Sequence, residues 1–130
     1  MLALVVWLER SEQGQLSQGA SNSEVAEAYA GGLSDVWVEG EGRVLRLLSD
    51  DNEGSRHQRF VLEVGPDHTV LVAHNIDLAP RIDALRSGDE VRFVGEYVWN
   101  DQGGIIHWTH HDPDGRHSGG WIEHEGRRYE

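Results

Sequence analysis

The 130-residue sequence contains no cysteine. That excludes a disulfide framework, a thiolate zinc site and a thiol nucleophile. Lysine is absent too, so all 11 basic residues are arginines, set against 23 acidic ones for a formal net charge of -12. Salt-driven binding to nucleic acid needs an extended positive surface, which this balance disfavours, although a local arginine cluster can still hold a phosphate. The apolar run MLALVVWL at residues 1–8 is too short to cross a bilayer, which takes about 20 such residues. It resembles the hydrophobic half of a secretory signal without the basic flank or a clear cleavage site, as a start placed too far downstream would leave it. A periplasmic or secreted protein with no stable membrane span is the expectation, and an N-terminal strand or frayed end is the plain alternative. No internal repeat or long low-complexity segment is present.

What the chain does have is 38% apolar residues, five tryptophans and eight histidines. The first two are enough to pack one core in a chain of this length. Histidine stands at about three times its usual share. Residues 1–20 read as a truncated signal-like or anchor segment plus polar linker, and residues 21–130 as one domain. Ser21 and Glu24 have capping-box spacing, and Val25, Ala28, Tyr29 and Leu33 recur at helical spacing. The pattern predicts a short helix over 22–31, ended by Gly31 and Gly32.

From Asp35 the apolar period changes to two. Strands are expected over 36–48, 56–64, 69–76, 90–99 and 105–111, with Gly40 and Gly42 letting the first bend. Pro80 is placed to begin a single helical turn within 78–85. Gly88-Asp89 reads as a tight turn into the fourth strand, and residues 100–104 (NDQGG) as the hairpin loop into the fifth. These features predict an all-β fold, a five-stranded OB-like Greek-key barrel with a short N-terminal helix. A small SH3-like barrel is the runner-up.

Three clusters can carry chemistry. Residues 107–117 (HWTHHDPDGRH) hold four histidines, and the turn at 113–115 can fold His117 back toward His110 or His111. Neutral imidazoles with a carboxylate suit zinc or another first-row divalent metal, making His107, His110, His111, Asp112 and His117 candidate ligands. The spacing matches no standard metal motif, and histidines also hydrogen-bond inside polar loops. At the start of the second strand, Arg56, His57 and Arg59 form a candidate clamp for a phosphate or carboxylate. Ion pairing with Asp50, Asp51 or Glu53 is the competing use. At the end of the third strand, His74 is a candidate general base oriented by Asp77, with Asn75 a candidate ligand contact. Asn75 and Asp77 also suit plain turn positions. Trp99 and Trp108 are candidate stacking surfaces for bases or sugar rings.

The phrases LLSDDNEGSRHQRFVLEV, LVAHNIDLAPRI, GDEVRFVGEYVWNDQGG and IHWTHHDPDGRHSGGWIEHEGRRY resemble the bacterial domain-of-unknown-function family numbered 3465. They cover roughly residues 42–129 and leave the N-terminal third outside the resemblance. Such a resemblance implies a small, often exported protein and brings no activity or catalytic residue with it. Three uses of the patch follow, in this order. The first is a module binding a small or polymeric ligand, anionic or ring-bearing, such as an oligonucleotide or glycan. The second is a metal-assisted phosphodiester hydrolase, and the third a structural envelope protein that meets a protein partner.

Overall fold

The computed structural model describes residues 13–130, with side chains from residue 22 onward. In chain order these residues form helix α1 (Gln13–Gly31), then β1 (Val36–Leu47), β2 (His57–Gly65), β3 (His68–Asn75), β4 (Glu90–Val98), β5 (Ile105–His107), β6 (Trp121–His124) and β7 (Arg127–Tyr129). Each of the five period-two runs forms a strand. Antiparallel pairs join β1 to β2 and to β4, β2 to β3, and β4 to β5, while β3 runs parallel to β5. The order β1-β2-β3-β5-β4 therefore closes back onto β1. This is the all-β, five-stranded barrel expected, built on the OB plan.

Alternation explains the closure. Along β2, Phe60 and Leu62 point inward to meet Val70 and Val72 of β3, Phe93 and Tyr97 of β4, and Ile106 of β5, all buried. Each such side chain contributes about 1.5–3 kcal/mol by leaving water. β1 serves two neighbours in succession, pairing with β4 from Val36 to Arg43 and with β2 from Arg43 onward. Gly42 permits that switch, because a Cβ there would stand 2.2 Å from the Glu63 carbonyl oxygen.

α1 starts earlier than the capping-box signature indicates, so the stretch read as a polar linker is helical from Gln13. Residues 1–12, with the signal-like run, lie outside the described residues. Extending a helix costs far less than nucleating one, and no proline interrupts this segment. Glu24 does not cap; its Oε1 accepts the Glu39 backbone N–H at 2.7 Å. Asn22 likewise accepts from Glu41 N and donates to the Val64 carbonyl, fastening α1 to β1 and β2. The C-terminus is as expected: Gly32 adopts φ 64°, and Leu33 N–H reaches back to the Ala28 carbonyl at 2.9 Å, closing a Schellman motif.

Two further expectations differ. No helical turn forms within 78–85, because the Gln58 amide takes both Ile82 backbone groups, donating to its carbonyl at 3.0 Å and accepting its N–H at 2.8 Å. The fifth strand stops at His107 rather than 111, since Trp108 turns to φ 57° and leaves the ladder. The hairpin β6–β7 has no counterpart among the expected strands. β6 pairs with β4 from Val91 to Val94, while β5 pairs with the same edge from Glu96 to Val98. β5 and β6 are thus two halves of one interrupted strand, and residues 108–120 are an excursion between them.

Candidate functional site

The excursion leaves and returns opposite Gly95 of β4, where the backbones come very close. A Cβ on Gly95 would lie 2.7 Å from the His107 carbonyl oxygen, and one on Gly120 would lie 2.3 Å from the carbonyl oxygens of Trp108 and Val94. Beside this crossing, register aligns Trp37 of β1, Glu96 of β4 and His107 of β5 in one row on the outer barrel face. Trp37 is 41% exposed. Its ring meets Trp108 edge-on at 6.1 Å and His117 at 5.3 Å, and Trp108 in turn stacks on His110 at 5.6 Å with 15° between the planes. Further along, Arg128 lies 3.8 Å above the ring of Trp121. A cleft of about 410 Å³, lined by His111, Asp112, His117, Trp121 and Arg128, adjoins this aromatic row.

Polar satisfaction fails at one place among the described residues, and it is here. The buried ring nitrogens His107 Nε2 and Trp108 Nε1 lack a hydrogen bond. His107 Nε2 is 3.0 Å from Glu96 Oε1, close enough for charge attraction but outside hydrogen-bond geometry. An unpaired buried polar group costs about 1–3 kcal/mol, and such costs gather at functional sites.

The five predicted metal ligands do not converge. Among the described residues, the ligand atoms that gather within 4.8 Å of one another belong to Asp89, His124 and Glu125 instead. His110 Nδ1–H donates to the His111 carbonyl at 2.6 Å, and His111 Nδ1–H to a Glu130 backbone oxygen at 3.1 Å. Asp112 organises the loop, accepting the backbone N–H groups of Asp114, Arg116 and His117. Burial pushes its carboxyl up, but those three bonds outweigh it and hold the group below the usual carboxylate range. His110 is pushed below the ordinary imidazole value, first by burial.

His74 is fully buried, with Nε2–H donating to the Pro80 carbonyl at 3.0 Å and Nδ1 accepting from Thr109 Oγ1 at 2.7 Å. Burial lowers its pKa to about 4. With both nitrogens engaged it ties β3 to the excursion and has no atom left for a substrate. Asp77 does not orient it; its carboxylate takes Arg56 N and Nε, each at 2.8 Å, and those bonds lower its pKa.

The predicted clamp is occupied in the same way. Arg56 is held by Asp77, Arg59 donates to the Ser49 carbonyl, His57 Nδ1 bonds the Ser55 carbonyl, and Asn75 Oδ1 accepts Asp77 N–H in a turn. Trp99 is exposed but belongs to another place: it stacks on Tyr29 of α1 and donates Nε1–H to the Tyr29 carbonyl. Trp108 is the one tryptophan of the predicted set that joins the aromatic row. Trp37, absent from that set, was signalled by alternation, since it falls opposite Val36 and Val38. A larger cleft, about 720 Å³ between α1 and the barrel, is lined by residues such as Asn22, Arg43, Glu63 and His68 and holds no tryptophan. The aromatic row is therefore the stronger candidate site.

No curated protein matches the sequence. A family match does, and it covers residues 8–130, reaching well beyond the quoted phrases to take in α1 and the whole barrel. The chain belongs to the family described as Protein of unknown function (DUF3465).

Proposed function

We propose that this protein is a binding module for a ring-bearing ligand, and that the ligand is a glycan. The observation that carries the reading is the exposed Trp37 ring braced by Trp108 and His117 on an outer barrel face. A sugar ring lays its apolar C–H face on such an indole, and hydrogen-bonding groups alongside take its hydroxyls. Glu96 and His107 stand in the same row. Charge favours a glycan over an oligonucleotide. The net charge is -12, and Arg43, Arg56, Arg81 and Arg92 are already paired with carboxylates. The net negative charge repels a polyanion over the surface as a whole. The hydrolase reading lacks a comparable support, because of its five ligands only His117 Nε2 and Asp112 Oδ2 approach each other, at 3.4 Å, and among the described residues no three of them converge. The signal-like run at residues 1–8 supports a periplasmic or secreted location, where polymeric glycans are met.

The test is a glycan array probed with the untagged chain, followed by calorimetry on the best oligosaccharide, with a single-stranded dT oligomer in parallel. Saturable oligosaccharide binding that weakens about tenfold in Trp37→Ala, equivalent to about 1.4 kcal/mol, is expected. Binding of the dT oligomer alone, or glycan binding indifferent to Trp37→Ala, would overturn the proposal.

A further inference from the structure

At the other end of β4 a second cluster stands apart from the aromatic row. His124 closes β6 with its side chain only 1% exposed, and its Nε2 faces two carboxylates: Asp89 Oδ2 at 2.8 Å and Glu125 Oε2 at 3.9 Å. The three residues come from different segments, namely the turn before β4, the end of β6, and the β6–β7 turn. Backbone structure fixes them. Val91 pairs with His124, and Asp89 Oδ2 also accepts Arg86 N–H at 2.9 Å.

We infer that Asp89, His124 and Glu125 form a binding site for a first-row divalent cation of the zinc type. The donor set is one imidazole and two carboxylates, which suits such ions better than calcium or magnesium, both of which favour all-oxygen shells. Ligand atoms held 2.0–2.1 Å from a tetrahedral ion stand about 3.3 Å apart. The two observed separations, 2.8 and 3.9 Å, lie on either side of that value. An ion replacing the proton between His124 and Asp89 needs Asp89 to withdraw by about 0.5 Å and Glu125 to approach by about 0.6 Å to reach that spacing. Glu125 is free to do so, since its side chain is 68% exposed. The existing bond from Arg86 N–H would orient the Asp89 carboxylate as an outer-shell partner does.

The surroundings favour a cation. Glu125 also lines a cleft of about 400 Å³ with Glu41, Glu90 and Glu123, where Arg92 is the one cation among the lining residues. A structural ion pair would need only His124 and Asp89; the second carboxylate leaves the cluster with excess negative charge that a divalent ion neutralises. Three protein ligands leave a fourth position open toward solvent or a small exogenous donor. This site does not depend on the glycan reading, since none of its residues lies in the aromatic row.

Isothermal titration of the untagged chain with zinc chloride tests the inference, with Glu125→Gln and Asp89→Asn beside it and calcium as the competing ion. Glu125→Gln changes an exposed turn residue, so its fold, checked by circular dichroism, should match the wild type. One equivalent of zinc is expected, weakened at least tenfold in each variant and not displaced by millimolar calcium. Absence of saturable binding, binding unchanged in Glu125→Gln, equal affinity for calcium, or a site lost instead in His110→Ala/His111→Ala would each overturn the assignment.

Discussion

Acid should weaken this fold well before its carboxylates titrate, and His74 is the reason. Its ordinary pKa of 6.5 falls to about 4 in the folded protein, because the imidazolium would be buried without solvent. The carbonyl of Pro80 can only accept, so Nε2 carries the proton and Nδ1 keeps the lone pair that Thr109 Oγ1 bonds. A histidine with a depressed folded pKa contributes fully above its unfolded value and loses that contribution as pH falls toward the folded value. The window therefore runs from about pH 6.5 down to about pH 4, and full protonation of the unfolded chain costs about 3 kcal/mol, of which about 2 is already lost at pH 5. Urea unfolding at pH 7.5 and pH 5 measures this, with His74→Gln as reference. Asp50, Asp77, Asp89 and Asp112 all have lowered pKa values, so they act below the chosen range. The wild type should lose about 2 kcal/mol more than His74→Gln over that interval. Equal losses in the two proteins, or an NMR titration showing His74 protonated near pH 6.5, would refute the argument.

Other outcomes follow from packing and from the turns. Ile122→Ala should destabilise by about 2–5 kcal/mol in chemical denaturation, because Ile122 is fully buried in the barrel core; a loss under 1 kcal/mol would mean the β6–β7 hairpin is not part of that core. Gly104→Ala should abolish soluble expression or cost several kcal/mol, about 3 or more, since φ is +106° and a Cβ would lie 2.3 Å from the Tyr97 ring. Tyr97→Phe should be mild, about 0.5–1.5 kcal/mol by thermal melt, because the Gly103 carbonyl that Tyr97 OH bonds at 2.7 Å keeps His68 Nε2 at 2.9 Å.

The barrel was legible because its strands obey one rule, alternation between turn residues, and each of β1 to β4 is long enough to display it. β5, β6 and β7 are three or four residues each, too short for a period to stand out. The β6–β7 turn left only half a mark: Glu125 and Gly126 both take positive φ, but glutamate is not the Asn, Asp or Gly that such a two-residue hairpin prefers at its first position. The functional patch was located by composition but misassembled by spacing. Reading residues 105–111 as a strand put His107 and His111 on one face, whereas the left-handed turn at Trp108 sends the following residues elsewhere. Partners distant in sequence decided the rest. Nothing near His74 indicates that Thr109 and Pro80 will occupy both its nitrogens, and nothing near His124 indicates Asp89, whose position is fixed only when β4 and β6 pair.

Because β5 and β6 share one edge of β4, the segment between them is held at both ends by the same strand, and Thr109 is its one hydrogen-bonded side-chain tie to β3 among the described residues. Length and side chains beyond Thr109 can change while the ladder on either side stays in register, provided that Thr109 keeps its bond to His74 and small residues remain where Gly95 and Gly120 let the chain cross. Recognition and folding are thereby separable in this architecture: the frame tolerates an exchanged loop, and a new binding preference can be grafted without redesigning the core. Family members differing mainly between the positions of His110 and Gly119 would then be one scaffold carrying different cargo preferences.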